Sequence, residues 1–232
     1  MVGLLIVRDE KSLVEDLATL RERILRDPYF TDVPSVKLLS KKTAFQFHAK
    51  DDIPEIRRDV FSLLRQHDLI FHAVIRDKTK IMDYVRQENE RNSQYRYNQN
   101  ELYDSLVRRL FEGLLQTNDM HKVTFASRGN ADRTRALAKA IQADLPLKIA
   151  QHRSVDVVAC RPNLAPALQA VDYYLWSLQR LYERGEDRYW NYVSPHAKLI
   201  MDLDDTRRFP SGVRYTQKEP LTLVALKTVS VI

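Results

Sequence analysis

The sequence predicts an α/β fold with helices packed on a mixed sheet, and three features carry that expectation. Short runs of apolar, β-branched residues alternate with longer stretches of helical periodicity. The runs show little polar alternation, as in strands covered on both faces. No internal repeat or low-complexity tract interrupts the order. The 232-residue chain is 44% hydrophobic and 29% charged, proportions that fit one sizeable core.

The first run, Val2–Val7, reads as a buried strand. Leu13, Leu17, Leu20, Ile24 and Leu25 then recur at helical spacing, and Asp27-Pro28 marks the stop. After an irregular stretch, Pro54 opens a helix over 55–66 with Ile56, Val60, Phe61 and Leu64 inward. Leu69–Ile75 is a second central strand, with Asp77 and Lys78 at its carboxyl end. A polar segment over 84–100 follows. Leu102, Leu106, Leu110 and Leu114 mark the next helix, 123–126 a third strand, and 132–142 a helix with Leu137 and Ile141 inward. Short strands are expected near 147–150 and 155–159, then a long helix around 167–185. Two further short strands, 196–203 and 221–228, form a C-terminal β extension.

Composition and missing motifs exclude several classes. Lys+Arg of 37 against Asp+Glu of 31 gives a net charge of +6, compatible with a polyanionic partner but over a surface this large more often plain surface charge. No stretch approaches the roughly 20 apolar residues of a membrane span, and MVGLLIVRDE is too short and too soon acidic for a secretory signal. The single cysteine, Cys160, precludes an internal disulfide and points to a reducing, cytoplasmic setting. Five glycines leave no phosphate loop or dinucleotide fingerprint, and neither a Gly-x-Ser-x-Gly elbow nor an HExxH pair is present.

The long helix raises the sharpest question. Leu164, Leu168, Val171, Leu175, Leu178 and Tyr182 make a stripe at three- and four-residue spacing, and Asp172 lies at its margin. Such an acid is either an exposed or salt-bridged margin residue or one retained for chemistry.

The segments FHAKDDIPEIRRDVF, HAVIRDK, NELYDSLVRRL, VTFASRGNADR and LQAVDYYLWSLQRLYERGEDRYW, in that order, resemble the bacterial family called domain of unknown function 3800, regarded as ribonuclease H-like in fold. The resemblance runs from Val2 to about Asp204, and LQ-x-x-D-Y over 168–173 is its most specific piece. It implies a ribonuclease H-like domain over 1–204, with 205–232 as an extension. It also implies a nuclease that binds two magnesium ions, with manganese as a substitute, through converging carboxylates that cut a phosphodiester in line. Asp172 matches the family's helix carboxylate and is the expected metal ligand; Asp132 and Asp77 are the further catalytic candidates.

Departures accompany the match. The family's first strand, ending in Asp-Glu-Ser-Gly, has no counterpart before Val2, and Asp9 and Glu10 read instead as the start of a helix. Gln46 stands where the family carries an acid, and Ser127-Arg128 where a strand often ends in Asp. The chain is therefore either an enzyme shortened at its first strand or a relative that keeps the fold without the metals. Nucleic-acid contacts are expected from Lys78, from Arg91 and Arg96 in the Tyr- and Arg-rich segment, and from Arg128 and Arg133. The competing reading is a non-catalytic protein of the same fold that binds nucleic acid or a protein partner.

Overall fold

The structure is a computed structural model describing all residues except 38–41, 112–121, 128–133, 136–137, 140–155 and 228–232. Among the described residues the fold is mixed α/β. Strand β1 (Val2–Val7) pairs antiparallel with β2 (Leu69–Ile75), β2 pairs parallel with β5 (Ala197–Asp202), and β5 pairs antiparallel with β6 (Val213–Thr216). A separate two-stranded parallel sheet joins β3 (Lys122–Ala126) to β4 (Asp156–Cys160). The apolar run of β2 is buried at every position but Ile70, as a strand covered on both faces must be.

Helices cover both faces. On one side lie α1 (Glu10–Arg26), α2 (Pro54–Leu64) and α5 (Ala167–Arg184), the last followed by the short α6 (Arg188–Val193). Their core includes Leu13, Leu17, Ile56, Leu64, Phe71, Tyr173, Tyr174 and Trp190. Phe71 stacks on Tyr174 with centroids 4.9 Å apart, and Phe61 meets Tyr173 edge-on at 5.1 Å. Each such pair adds about 0.5–1.5 kcal/mol beyond area burial. On the other side α4 (Gln99–Phe111) packs Leu106, Val107 and Leu110 on Val2, Val74 and Met201.

Local chemistry sets the helix ends. Asp9 caps α1 by accepting from Ser12 N–H at 2.9 Å, and Gly185 ends α5 at φ 63°, a left-handed conformation that suits glycine. Asp77 caps α3 (Lys78–Arg91), accepting from Thr79 N–H at 2.8 Å.

Three sequence expectations need correction. The buried residues of α5 are Gln169, Ala170, Tyr173, Tyr174, Trp176, Ser177, Leu178 and Leu181, so of the expected stripe only Leu178 is fully buried; Leu168, Val171, Leu175 and Tyr182 are partly buried and Leu164 is exposed. Tyrosines with hydroxyl partners and small residues make the contact, and hydropathy alone undervalues both. Gly3 allows the close approach: a Cβ there would meet Leu175 Cδ2 at 2.9 Å. Second, the polar segment 84–100 is mostly helix, because α3 runs to Arg91; only Ile81 and Val85 are buried on it, too thin a stripe to announce a helix. Third, the expected strand over 221–228 is a helix, α7 (Leu223–Lys227), and the C-terminal strand is β6. The expected helix over 132–142 and strand near 147–150 fall largely or wholly outside the described residues.

Candidate functional site

Irregular backbone between α1 and α2 is held by side chains of α5. Phe47 and Ala49 are buried, so their amides need partners within the protein. Gln169 Oε1 accepts from Phe47 N–H at 2.9 Å, and its Nε2 donates to Pro162 O at 3.0 Å. Asp172 Oδ2 accepts from Ala49 N–H at 2.9 Å. Between them, His48 N–H donates to Asp52 Oδ2 at 2.8 Å; that carboxylate also accepts from the Tyr173 hydroxyl and, at 2.6 Å, from Thr43 Oγ1. Three successive amides are thus captured by an amide and two carboxylates. Arg57 closes the loop from the other side by donating to the carbonyls of Ala49 and Asp52.

This arrangement gives the Leu-Gln-x-x-Asp-Tyr signature a physical role: Gln169, Asp172 and Tyr173 fasten residues 47–52. Burial raises the pKa of Asp52 above the usual carboxylate range, against the opposing pull of Thr43, Tyr173 and the His48 amide. Burial likewise raises Tyr173 well above an ordinary phenol, with the Asp52 charge adding to it.

The fastened loop forms one wall of a cavity of about 820 Å³. Because β2 and β5 are parallel, their carboxyl ends open on the same side, where ligand crevices form in α/β sheets. From β2 and the start of α3 come Arg76, Asp77, Lys78 and Lys80; from the end of β5, Asp202, Asp204 and Asp205; from α5, Asp172, Trp176 and Tyr182; from the loop, His48 and Lys50.

Most of these charges already have partners. Asp204 Oδ2 accepts from Arg76 Nε at 3.1 Å and from the Asp77 amide. Asp205 forms a two-point pair with Arg207 and accepts from Tyr215 at 3.0 Å, and Arg207 holds its carboxyl below the ordinary range. Asp202 Oδ2 accepts from Tyr182 at 2.9 Å and its Oδ1 from the amides of Asp204 and Asp205, each at 3.1 Å; burial still pushes its pKa up. The guanidinium groups of Arg57 and Arg180 each stand over the Trp176 ring, 4.8 and 5.1 Å from its centroid. Lys80 Nζ donates to the Asp204 carbonyl, whereas Lys50 and Lys78 make no ion pair among the described residues.

The structure therefore brings Asp172 to the same cavity as the adjacent Asp77 and Lys78, about a hundred residues earlier in the chain. It does not bring Arg91 or Arg96 to them: Arg91 is at the opposite end of α3, about 20 Å along the helix axis. Arg91 pairs with Glu88 at 3.5 Å, and Arg96 donates to the carbonyls of Ser93 and Tyr95 in its own loop. Asp132, Arg128 and Arg133 lie outside the described residues. The acids and arginines at the end of β5 were missed from sequence, although Met-Asp-Leu-Asp-Asp directly after an apolar run is a readable signal.

Among the described residues Asp172, the expected magnesium ligand, is not joined by a preformed group of three or more metal-binding side chains. Asp172 spends Oδ2 on Ala49, and its Oδ1 faces His48 Nε2 at 3.9 Å. Asp204 and Asp205 are tied to arginines, and no group of three or more His, Cys, Asp or Glu among the described residues could hold a metal ion. Nor is any helix among them long and apolar enough to cross a membrane. Compared with protein-family models, curated proteins and solved structures, the chain finds no match.

Proposed function

We propose that the chain is a binding protein of ribonuclease H-like fold whose cleft at the ends of β2 and β5 takes a phosphate-bearing ligand, with nucleic acid as the ligand class. The observation that supports it is the pair of ammonium groups on Lys50 and Lys78, which line the cleft without a carboxylate partner among the described residues. The neighbouring arginines are committed to Asp204 and Asp205, so these lysines are the groups left to meet an anion. Lys78 also stands in the first turn of α3, where the helix dipole favours negative charge. Asp172 Oδ1 and Glu183, on the opposite wall, would accept hydrogen bonds from sugar hydroxyls or base amino groups rather than contact phosphate. The fold name rests on the sequence resemblance.

The second reading, a magnesium- or manganese-dependent nuclease, is favoured by the one oxygen that Asp172 keeps toward the cleft. One experiment separates the two. Fluorescein-labelled single- and double-stranded DNA and RNA are titrated with protein, with and without magnesium or manganese, and the oligonucleotides are then resolved by length. Binding with intact strands supports the proposal. Absence of binding at low salt refutes it. Metal-dependent cleavage that disappears in Asp172→Asn establishes the nuclease instead.

A further inference from the structure

One face of α5 lines the cleft: Asp172, Leu175, Trp176, Gln179, Tyr182 and Glu183. These positions recur every three or four residues and form a single stripe, about 16 Å long at 1.5 Å per residue. Hydrogen bonds fix what stands beside each end of it. At one end Asp172 Oδ2 accepts from Ala49 N–H at 2.9 Å, which puts the adjacent Lys50 there. At the other end Tyr182 donates to Asp202 at 2.9 Å, and Asp202 accepts from the Asp204 amide. Asp204 in turn accepts from the amide of Asp77, which directly precedes Lys78. The cleft is therefore a trough along α5. Toward each end stands one ammonium group that has no carboxylate partner among the described residues.

We propose that the trough takes a short single strand laid along α5, with one phosphate near Lys50 and another near Lys78. This rests on the reading of the cleft as a nucleic-acid site and narrows it to a form and a length. An extended strand spaces its phosphates at about 6–7 Å, roughly twice the 3.4 Å rise of a strand in a duplex, so about three nucleotides fill the stripe. A lone nucleotide, with one phosphate, reaches one lysine only. A duplex is too wide, since its major groove alone is about 12 Å across, whereas the cavity of about 820 Å³ is of the size that encloses small ligands. Between the lysines Leu175 offers apolar surface to the bases. Gln179 donates through Nε2 to Glu183 at 2.8 Å, which leaves its carbonyl oxygen to accept from a base amino group. Carboxylates outnumber lysines and arginines around the lining, so a longer strand gains little from its extra phosphates.

The test is competition against a fluorescein-labelled hexathymidylate at low salt, read by anisotropy with the whole protein. The competitors are thymidine 5′-monophosphate, 5′-phosphorylated oligothymidylates of two to six residues, and a short duplex. Affinity should rise about tenfold or more from the monophosphate to the trimer, and less than about fivefold from the trimer to the hexamer. The duplex should bind about tenfold or more weakly than the trimer. Lys50→Ala and Lys78→Ala should each weaken the trimer about threefold or more. Neither should weaken the monophosphate by more than about twofold, because it can still sit at the other lysine. Equal affinity for monophosphate and trimer, equal affinity for duplex and trimer, a steady gain up to the hexamer, or a trimer indifferent to either lysine would overturn the proposal while leaving nucleic-acid binding itself standing. If no oligonucleotide binds, the reading of the cleft fails and the proposal falls with it.

Discussion

The cleft at the ends of β2 and β5 and the arm formed by α3 with residues 92–98 are built from the same residue types, yet they behave differently. In the cleft, acids, arginines and tyrosines pair across the fold: Asp204 with Arg76, Asp202 with Tyr182, Asp172 with Ala49. In the arm the partners are local, Arg86 with Asp83, Arg91 with Glu88, Arg96 with its own loop carbonyls, and the side chains are solvent-exposed. Long-range pairing in a partly buried site fixes geometry and shifts pKa values; exposed local pairs contribute about 0–1 kcal/mol and little positional order. Interleaved Arg and Tyr in the sequence is therefore a weaker sign of a site than a few charges that the topology converges on one strand end.

Variants should widen that contrast, beginning with the largest effect. Asp52→Ala leaves the amide of His48 and the hydroxyls of Thr43 and Tyr173 without their buried acceptor, and should cost about 3 kcal/mol or more in urea denaturation. The same measurement on Asp172→Ala should cost about 1–2 kcal/mol, since one half-exposed acceptor is lost. Asp172→Asn, whose amide oxygen still accepts from Ala49, should cost under about 1 kcal/mol.

The next effect is a pH dependence. His72 is buried in β2 with neither ring nitrogen hydrogen-bonded, and burial, helped by the Lys198 charge, lowers its pKa from 6.5 to about 4. The folded chain keeps it neutral while the unfolded chain takes up a proton below pH 6.5. Its contribution is complete above pH 6.5 and is lost as the pH falls toward 4, by about 3 kcal/mol in all. Asp52 and Asp202 act with the opposite sign, because their raised pKa values let the folded state hold protons to higher pH. Denaturation of wild type and His72→Leu at pH 7 and pH 4 isolates the histidine: the gap in favour of the leucine variant should widen by about 3 kcal/mol at pH 4. A constant gap would mean that His72 is not held neutral. At the small end, Arg86→Ala and Arg91→Ala should each change stability by less than about 0.5 kcal/mol.

Much of this architecture was legible from residue pattern. The strands Val2–Val7 and Leu69–Ile75 stood out as unbroken apolar runs, although only the second is buried nearly throughout. Strand β1, at the edge of its sheet, buries Val2 and leaves the rest partly exposed, so an apolar run marks a strand without fixing its depth. Asp27-Pro28 and Pro54 marked helix ends. The marginal position of Asp172 was also visible. Its role was not, because its partner is the amide of Ala49, 123 residues away, and backbone groups leave no trace in side-chain pattern. The true inner face of α5 was hidden for a related reason: Tyr173, Tyr174 and Ser177 are buried with hydroxyl partners that only the tertiary structure supplies. The cluster at Asp202, Asp204 and Asp205 was not marked by local pattern because acids after an apolar run also suit a solvated turn, and the partners that make it a site, Arg76 and Tyr182, come from other elements.

The most direct test of cleft binding is the salt dependence of affinity for a labelled single-stranded oligonucleotide, compared among wild type, Lys50→Ala/Lys78→Ala and Arg91→Ala/Arg96→Ala. If the cleft holds phosphate, the lysine pair should weaken binding and reduce the slope of log affinity against log salt by about 1.4, roughly 0.7 for each lost contact, while the arginine pair leaves the slope within error of wild type. An unchanged slope in the lysine variant, with the loss appearing in the arginine variant, would contradict cleft binding and place the nucleic-acid contact on the arm.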